Sequence, residues 1–431
     1  MTYIKRDMES VFLQTSEQFK VVLVTGPRQV GKTTMLEKLM AGTSRKYVSL
    51  DNMADRNLAK TDPKAFIETY KPPVFIDEVQ YAPELFSYIK MQVDTRKQNG
   101  DYWLSGSQVF ELMRGVNESL AGRVGLLDLF SLSQNEIYNH KECKPLDTNA
   151  DSIKERISGI PCASPMDIFT RIYYGGMPQL VAEGRRNQHM VNEIDDPAVL
   201  KFTPIMIANN RDRFYESYIR TYVERDVRDL SGDIDVLKFY RFMVAVTART
   251  AQLVNYKSIA DDADIDQATA KNWLNILERL GIIFYLHPYS NNLLKRTIKS
   301  PKLYFYDSGL VAYLARWNSI EALMNGAQAG AILENFVVSE VAKGYYNSGT
   351  RPHLHYFRDK DNKEIDLLWE ANGTLYPLEI KKTSNPDVRL TKVFDLLKKS
   401  GKILGNGGVV CLYDKFLPIN RDNYIIPISC V

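Results

Sequence analysis

A chain of 431 residues, 45% hydrophobic and 25% charged, has the composition of a soluble globular protein and is too long for one core, so two to four domains are expected. A net charge of +3 provides no global basic field, which leaves any contact with nucleic acid to local patches. Cys143, Cys162, Cys411 and Cys430 are scattered without a C-x-x-C pair, against a disulfide scaffold or zinc ribbon and in favour of a reducing cytoplasm. There is no apolar leader in "MTYIKRDMES" and no later run of membrane-spanning length, so the expectation is a soluble, cytoplasmic protein with no membrane partner.

Residues 20 to about 135 alternate short apolar runs with helix-like stretches, the pattern of a parallel sheet covered by helices. In "VVLVTGPRQVGKTTMLEKLM" an apolar strand, Val21 to Val24, runs into Gly26, Gly31, Lys32 and Thr33 at the spacing G-x-x-x-x-G-K-[ST], and an amphipathic helix runs out. The glycines let the backbone curl until successive N–H groups and a helix N-terminus cradle phosphates. Gly26, Pro27, Arg28, Gln29, Val30, Gly31, Lys32, Thr33 and Thr34 are therefore the candidate nucleotide-binding set. Lys32 would reach the β- and γ-phosphates of ATP, and Thr33 would ligate Mg²⁺.

"KPPVFIDEVQ" is an apolar strand ending in Asp77, a second Mg²⁺ ligand, and Glu78, the candidate base that polarises the attacking water. A bare binding site needs no second carboxylate, so Glu78 argues for hydrolysis. "DYWLSGSQ" is a further strand, placing Ser105 or Ser107 where either could contact the γ-phosphate or the water; a plain strand and turn reads equally well. Arg123 in "ESLAGRVGLLDL" is either an arginine finger, acting in cis or across a subunit interface, or structural.

"GPRQVGKTT", "YVSLDN", "PPVFIDEVQ", "LSGSQ" and "SLAGRV" in this order resemble the AAA-type P-loop ATPases of bacteria and archaea, with Ser105 where threonine is commoner. "YYGGMPQL", "YVERDVRDL", "KLYFYDSGL" and "LENFVVSE" look like the branch in which a C-terminal domain of uncharacterised function follows the ATPase module. That resemblance implies a module of the ring-forming class, so further copies of the chain are candidate partners.

A polar stretch from His140 to about Pro165 reads as a linker, and residues 166 to about 300 are mostly helical in period. In "YIRTYVERDVRDL" the charges of Arg220, Glu224, Arg225 and Asp226 fall at helical spacing, as intra-helix ion pairs on a solvated face would. "NYKSIADDADIDQATAKNWLNILERLGIIFYLHPYS" has the rhythm of a winged helix-turn-helix, with Trp273, Leu277 and Leu280 facing the core. Gln267, Lys271 and Asn275 could read a groove, but Asp261, Asp262, Asp264 and Asp266 would repel phosphates, while Lys295, Arg296, Lys299 and Lys302 lie in the wing.

From 302 onward strands and helices mix again. "FRDKDNKEIDLLWE" reads as a strand centred on Asp366, "ANGT" as a turn, and "LYPLEIKKT" as a strand carrying Glu379 and Lys381 on one face, after a helix carrying Glu334. Glutamate, aspartate, then E-x-K resembles the core of restriction-endonuclease-like nucleases. The resemblance implies Mg²⁺ held by Asp366, Glu379 and Glu334, with Lys381 orienting the attacking water. The expected organisation is α/β and multidomain: an AAA-type P-loop core (1–138), a linker and helical lid (139–235), a winged helix (236–300) and a mixed α/β restriction-endonuclease-like domain (301–431). Two functions fit. One is an ATPase coupled to a domain that binds or cuts DNA or RNA; the other is a nucleotide-dependent switch acting on protein partners through an inactive nuclease-like domain.

Overall fold

The computed structural model describes residues 3–107, 119–139, 144–158, 163–191, 204–232, 234–290 and 300–431. Five strands, β1 (Val21–Thr25), β2 (Lys46–Ser49), β3 (Val74–Asp77), β4 (Tyr102–Ser105) and β5 (Val124–Asp128), form a parallel sheet in the order β2-β3-β4-β1-β5. β1, β3 and β4 are buried along their whole length, as central strands covered by helices on both faces must be. The sheet's carboxyl edge collects the turns after β1, β3 and β4, the face at which open α/β sheets place ligands.

Helices Pro165–Tyr174, Pro178–Val191 and Pro204–Tyr218 follow, the last running through a π-helical segment, Ile219–Val223, into helix Glu224–Ser231. Three more helices, Val236–Thr247, Tyr256–Ala263 and Gln267–Arg279, begin at Asp235, Asn255 and Asp266, whose side chains accept from first-turn N–H groups. β6 (Ile283–Pro288) and β7 (Lys302–Phe305) then pair antiparallel.

β6 also pairs in parallel with β8 (Leu354–Arg358), so the hairpin belongs to one large sheet with β9 (Glu364–Ala371), β10 (Thr374–Lys381), β11 (Ile403–Leu404), β12 (Gly407–Cys411), β13 (Leu417–Pro418) and β14 (Asn423–Pro427). The boundary expected at residue 300 thus falls between two strands of one ladder. The stretch "FRDKDNKEIDLLWE" is not one strand. It turns between β8 and β9, where the Asp359 carboxylate accepts from Asp361 and Lys363 N–H at 2.8 and 2.9 Å and Asn362 takes a left-handed φ of 60°.

One hydrophobic core runs from Met8 and Phe12 under the first sheet, through Tyr215, Phe242 and Trp273, to Phe336, Leu378 and Ile426. A separate core fills the other face of the first sheet. Among the described residues no helix is long and apolar enough to cross a membrane. Cys411 and Cys430 are buried free thiols, and Cys143 and Cys162 lie outside the described residues.

Candidate nucleotide site and carboxylate–lysine cluster

The turn after β1 begins at Gly26, where a Cβ would stand 1.9 Å from the Leu129 carbonyl oxygen, so only glycine lets this loop lie against β5. Gly31 enters helix Lys32–Met40 (the P-loop helix) at a left-handed φ of 92°. The loop is held from behind by the buried Arg6, which donates to the carbonyls of Val30 at 2.7 Å and Phe130 at 2.8 Å while pairing with Glu136. Pro27, Val30 and Gly281 pack at its base, and Gln29 and Thr34 are exposed.

Lys32 is buried, its ammonium donating to the carbonyls of Gly26 at 3.0 Å and Pro27 at 2.7 Å. Burial lowers its pKa to about 8, against the opposing pull of Glu78 and Asp77. Thr33 Oγ1 meets both Asp77 oxygens, at 3.1 and 3.0 Å, and Ser105 donates to the same carboxylate. A hydroxyl and a carboxylate so placed are the ligands a Mg²⁺–nucleotide needs from the chain, and the residues fit that group. Glu78 follows in a left-handed conformation, φ 54°, with its carboxylate accepting from the Gln80 amide. Gln80 also reaches Ser107 at 3.4 Å. The two serines thus divide: Ser105 steadies Asp77, and Ser107 stands beside Glu78 and Gln80.

Arg123 is a correction where action in cis is concerned. Its carbonyl accepts from Val21 N–H at the start of β1, so it sits at the sheet edge opposite the phosphate loop, roughly 15 Å away at the rise of a five-residue strand. Its guanidinium pairs with Asp94 at 2.6 and 3.0 Å.

A second correction concerns Asp226. Far from sitting on a solvated face, it is buried and binds Arg28 of the phosphate loop through two parallel bonds of 2.8 and 3.0 Å. Arg28 also lies over the Tyr222 ring, 5.7 Å from its centroid. Asp226 is the functional candidate that the sequence reading passed over. The available signal was its place beside the buried stripe Ile219, Val223 and Val227 rather than opposite it. Arg220 does behave as expected, pairing with Glu216 at 3.1 Å.

In the C-terminal sheet Leu378 of β10 pairs with Leu367 of β9, which brings Asp366 and Glu379 side by side. Lys381 donates to Asp366 at 2.9 Å and reaches Glu379 at 2.7 Å, and Ile380 N–H donates to Asp366 at 2.9 Å. Glu334, on helix Ala329–Asn347, accepts from Lys302 and Tyr304 of β7 at 2.9 and 2.7 Å. Lys302 also pairs with Glu364. Burial, then the charge of Asp366, raise the carboxyl pKa of both Glu334 and Glu379. Glu379 Oε1 is buried and has no partner among the described residues. Among those residues no three His, Cys, Asp or Glu side chains are grouped to hold a metal ion.

Lys302 is therefore a buried counter-ion rather than a wing residue free for a phosphate backbone, and Lys295, Arg296 and Lys299 lie outside the described residues. Gln267 and Lys271 are exposed and Asn275 is half-buried. The nearby acids have local work: Asp266 caps its helix, Asp264 pairs with Lys238 at 3.2 Å and Asp262 with Arg249.

Residues 18–138 match the family described as AAA domain. The N-terminal third of the chain thus resembles an AAA-type P-loop domain. Two domains of unknown function match residues 203–321 (DUF8612) and 329–431 (DUF4143). An uncharacterized protein of Mycobacterium tuberculosis is 27% identical over 385 residues, 89% of this chain and 75% of that one. Another, of Methanocaldococcus jannaschii, is 22% identical over 340 residues, 75% of this chain and 67% of that one. The Walker-type ATPase of Pyrococcus abyssi superposes at a TM-score of 0.44 with 14% identity, covering 72% of this chain and 96% of that one. The Holliday junction branch migration motor of Thermotoga maritima does so at 0.28 with 14% identity, covering 64% and 86%. Those two scores are too low to say more of the AAA domain than its own residues do.

Proposed function

We propose that this chain is a Mg²⁺-dependent ATPase whose AAA domain controls a C-terminal unit of nucleic-acid-binding, nuclease-like character. The observation that carries the first half is the convergence of Lys32, Thr33 and Asp77 at the carboxyl edge of the parallel sheet, with Glu78 beside them. In this reading the Lys32 ammonium leaves its loop carbonyls for the β- and γ-phosphates, and Thr33 and Asp77 hold Mg²⁺. Glu78, steered by Gln80, orients water for attack. Arg123 keeps a role as a finger only across an interface between copies of the chain, and a cytoplasmic location fits the cysteine usage.

For the second half, the helices from Val236 to Arg279 with the β6–β7 hairpin are read as a winged helix. Helix Ala329–Asn347 with β9 and β10 is read as a restriction-endonuclease-like core. Asp366, Glu379 and the Ile380 carbonyl would hold Mg²⁺ there, and the partnerless Glu379 Oε1 supports this. Lys381 would orient the water. Glu334, which accepts from Lys302 and Tyr304, would complete the shell directly or through water. A second reading, a nucleotide-dependent switch acting on protein partners, is favoured by a specific arrangement: Lys302 and Lys381 already close on the four carboxylates.

The test is phosphate release by the purified chain with Mg²⁺ and ATP, with and without linear, nicked and branched DNA, beside Lys32→Ala and Asp366→Ala. Release lost in Lys32→Ala supports the ATPase; no release by the unaltered chain on any substrate sinks it. DNA cleavage lost in Asp366→Ala supports the nuclease-like reading. ATP turnover indifferent to nucleic acid, with no cleavage, moves the conclusion to the protein switch.

A further inference from the structure

The Arg28–Asp226 pair joins the phosphate loop to a helix 198 residues further along the chain, and both partners are withdrawn from water, at 12% and 4% side-chain exposure. Arg28 is the third residue of the loop. With Ser107, Tyr222 and Asp226 it lines one small cavity, and Glu78 lies near enough to act on its charge. On the nucleotide-binding reading a terminal phosphate and its attacking water stand between Lys32 and Glu78, and Arg28 is close enough to both to interact with their charges. A guanidinium fork binds a carboxylate or a phosphate with the same two parallel bonds. Asp226 therefore presents to Arg28 the chemistry that a nucleoside triphosphate would present.

We propose that Arg28 and Asp226 form a triphosphate switch, in which Arg28 exchanges the Asp226 carboxylate for the terminal phosphate and so releases helix Glu224–Ser231 from the AAA domain. The proposal rests on the nucleotide-binding reading above. A nucleoside diphosphate has no group at that position and leaves the pair closed. Once Arg28 turns away, Asp226 is a buried carboxylate whose nearest remaining ion-pair partner among the described residues is Arg225 at 3.8 Å, an arrangement that drives the helix outward. The π-helical segment Ile219–Val223 directly precedes that helix, and such segments let a helix change register locally. Tyr222, inside the segment, loses its place under Arg28 in the same movement. Asp226 is on this account a positioning residue, acting only through Arg28.

The test compares the affinities of a non-hydrolysable Mg²⁺–ATP analogue and of Mg²⁺–ADP for the full chain, Asp226→Asn, Arg28→Gln and the double variant. Amide hydrogen exchange of residues 224–231 is followed alongside. Freeing Arg28 in Asp226→Asn is expected to tighten the triphosphate roughly tenfold or more and leave the diphosphate unchanged. Arg28→Gln is expected to abolish the triphosphate preference, and the double variant to show no gain. In the unaltered chain, exchange at 224–231 should rise with the triphosphate alone. An equal shift for both nucleotides, or a gain that survives in the double variant, would mean Asp226 is merely structural and would overturn the switch. If neither the unaltered chain nor Asp226→Asn binds any nucleotide, the parent reading falls and takes the switch with it. Normal binding with no effect of Asp226→Asn removes the switch alone.

Discussion

Lys32 keeps its ammonium on two carbonyls of its own loop, buried, and holds its proton only up to about pH 8. A bound phosphate favours the charged form, so binding above pH 8 takes up a proton, and affinity should be flat below pH 8 and fall above it. Calorimetry in two buffers of different ionisation enthalpy would measure that proton, and an affinity that rises through pH 8 would contradict it. The same depressed pKa sets a sign for stability: between about 8 and about 10.4 the unfolded chain binds more protons, so this group's contribution increases with pH across that window. Glu78→Gln should retain nucleotide binding and lose roughly 10²- to 10⁴-fold in turnover, read from phosphate release beside fluorescent-nucleotide titration. Lys302→Met should leave the largely buried Glu334 without its cation, while Glu364 keeps Arg358 at 3.8 Å, and cost about 3–5 kcal/mol, measured as a shift in urea midpoint. A shift under about 1 kcal/mol would place the lysine at the surface in solution. The phosphate loop, Asp77 and Glu78 were legible from sequence because their spacing is local. Asp226 and Lys302 were not, because each is defined by a partner on a distant element, and a charged residue in a helix or strand most often faces water.

Strands and helices with a clear period were readable along the chain: β1, β3, β4, β10 and the helix Gln267–Arg279 fall where the apolar spacing put them. Two features were not. The turn between β8 and β9 hides in a run whose polar residues also suit an edge strand. The parallel pairing of His287 with His355 leaves no trace in either local pattern, since parallel ladders join segments far apart in sequence. The caps act at this scale too. Asn255 accepts from Ser258 N–H at 3.1 Å, and Asn255→Ala should cost about 1 kcal/mol while leaving nucleotide affinity untouched. A change in affinity would mean that helix Tyr256–Ala263 contributes to the nucleotide site.

Across the whole molecule, one large core passes beneath the AAA domain, the helical region and the C-terminal sheet, beside the separate core on the other face of the first sheet. Chain length bounds the number of cores without saying where their faces meet. A fragment of residues 329–431 would therefore expose Phe336, Val337 and Val341, which are buried in the full chain. It should lack the near-ultraviolet dichroism of a packed domain, and a cooperatively folded fragment would show the core to be divisible.

The shared core also makes the elements packed on it a single thermodynamic reporter. A ligand that binds only the folded state raises stability by RT ln(1 + [L]/Kd). Because the apolar contacts are shared, that gain is distributed to the elements that stay packed on this core, helix Glu224–Ser231 apart. Nucleotide at Lys32 should then raise the one melting transition and slow amide exchange around Glu379 in β10 as much as around β1, with no movement at Glu379 itself. The strand that carries the lysine–carboxylate cluster would register nucleotide as a change in how often it opens.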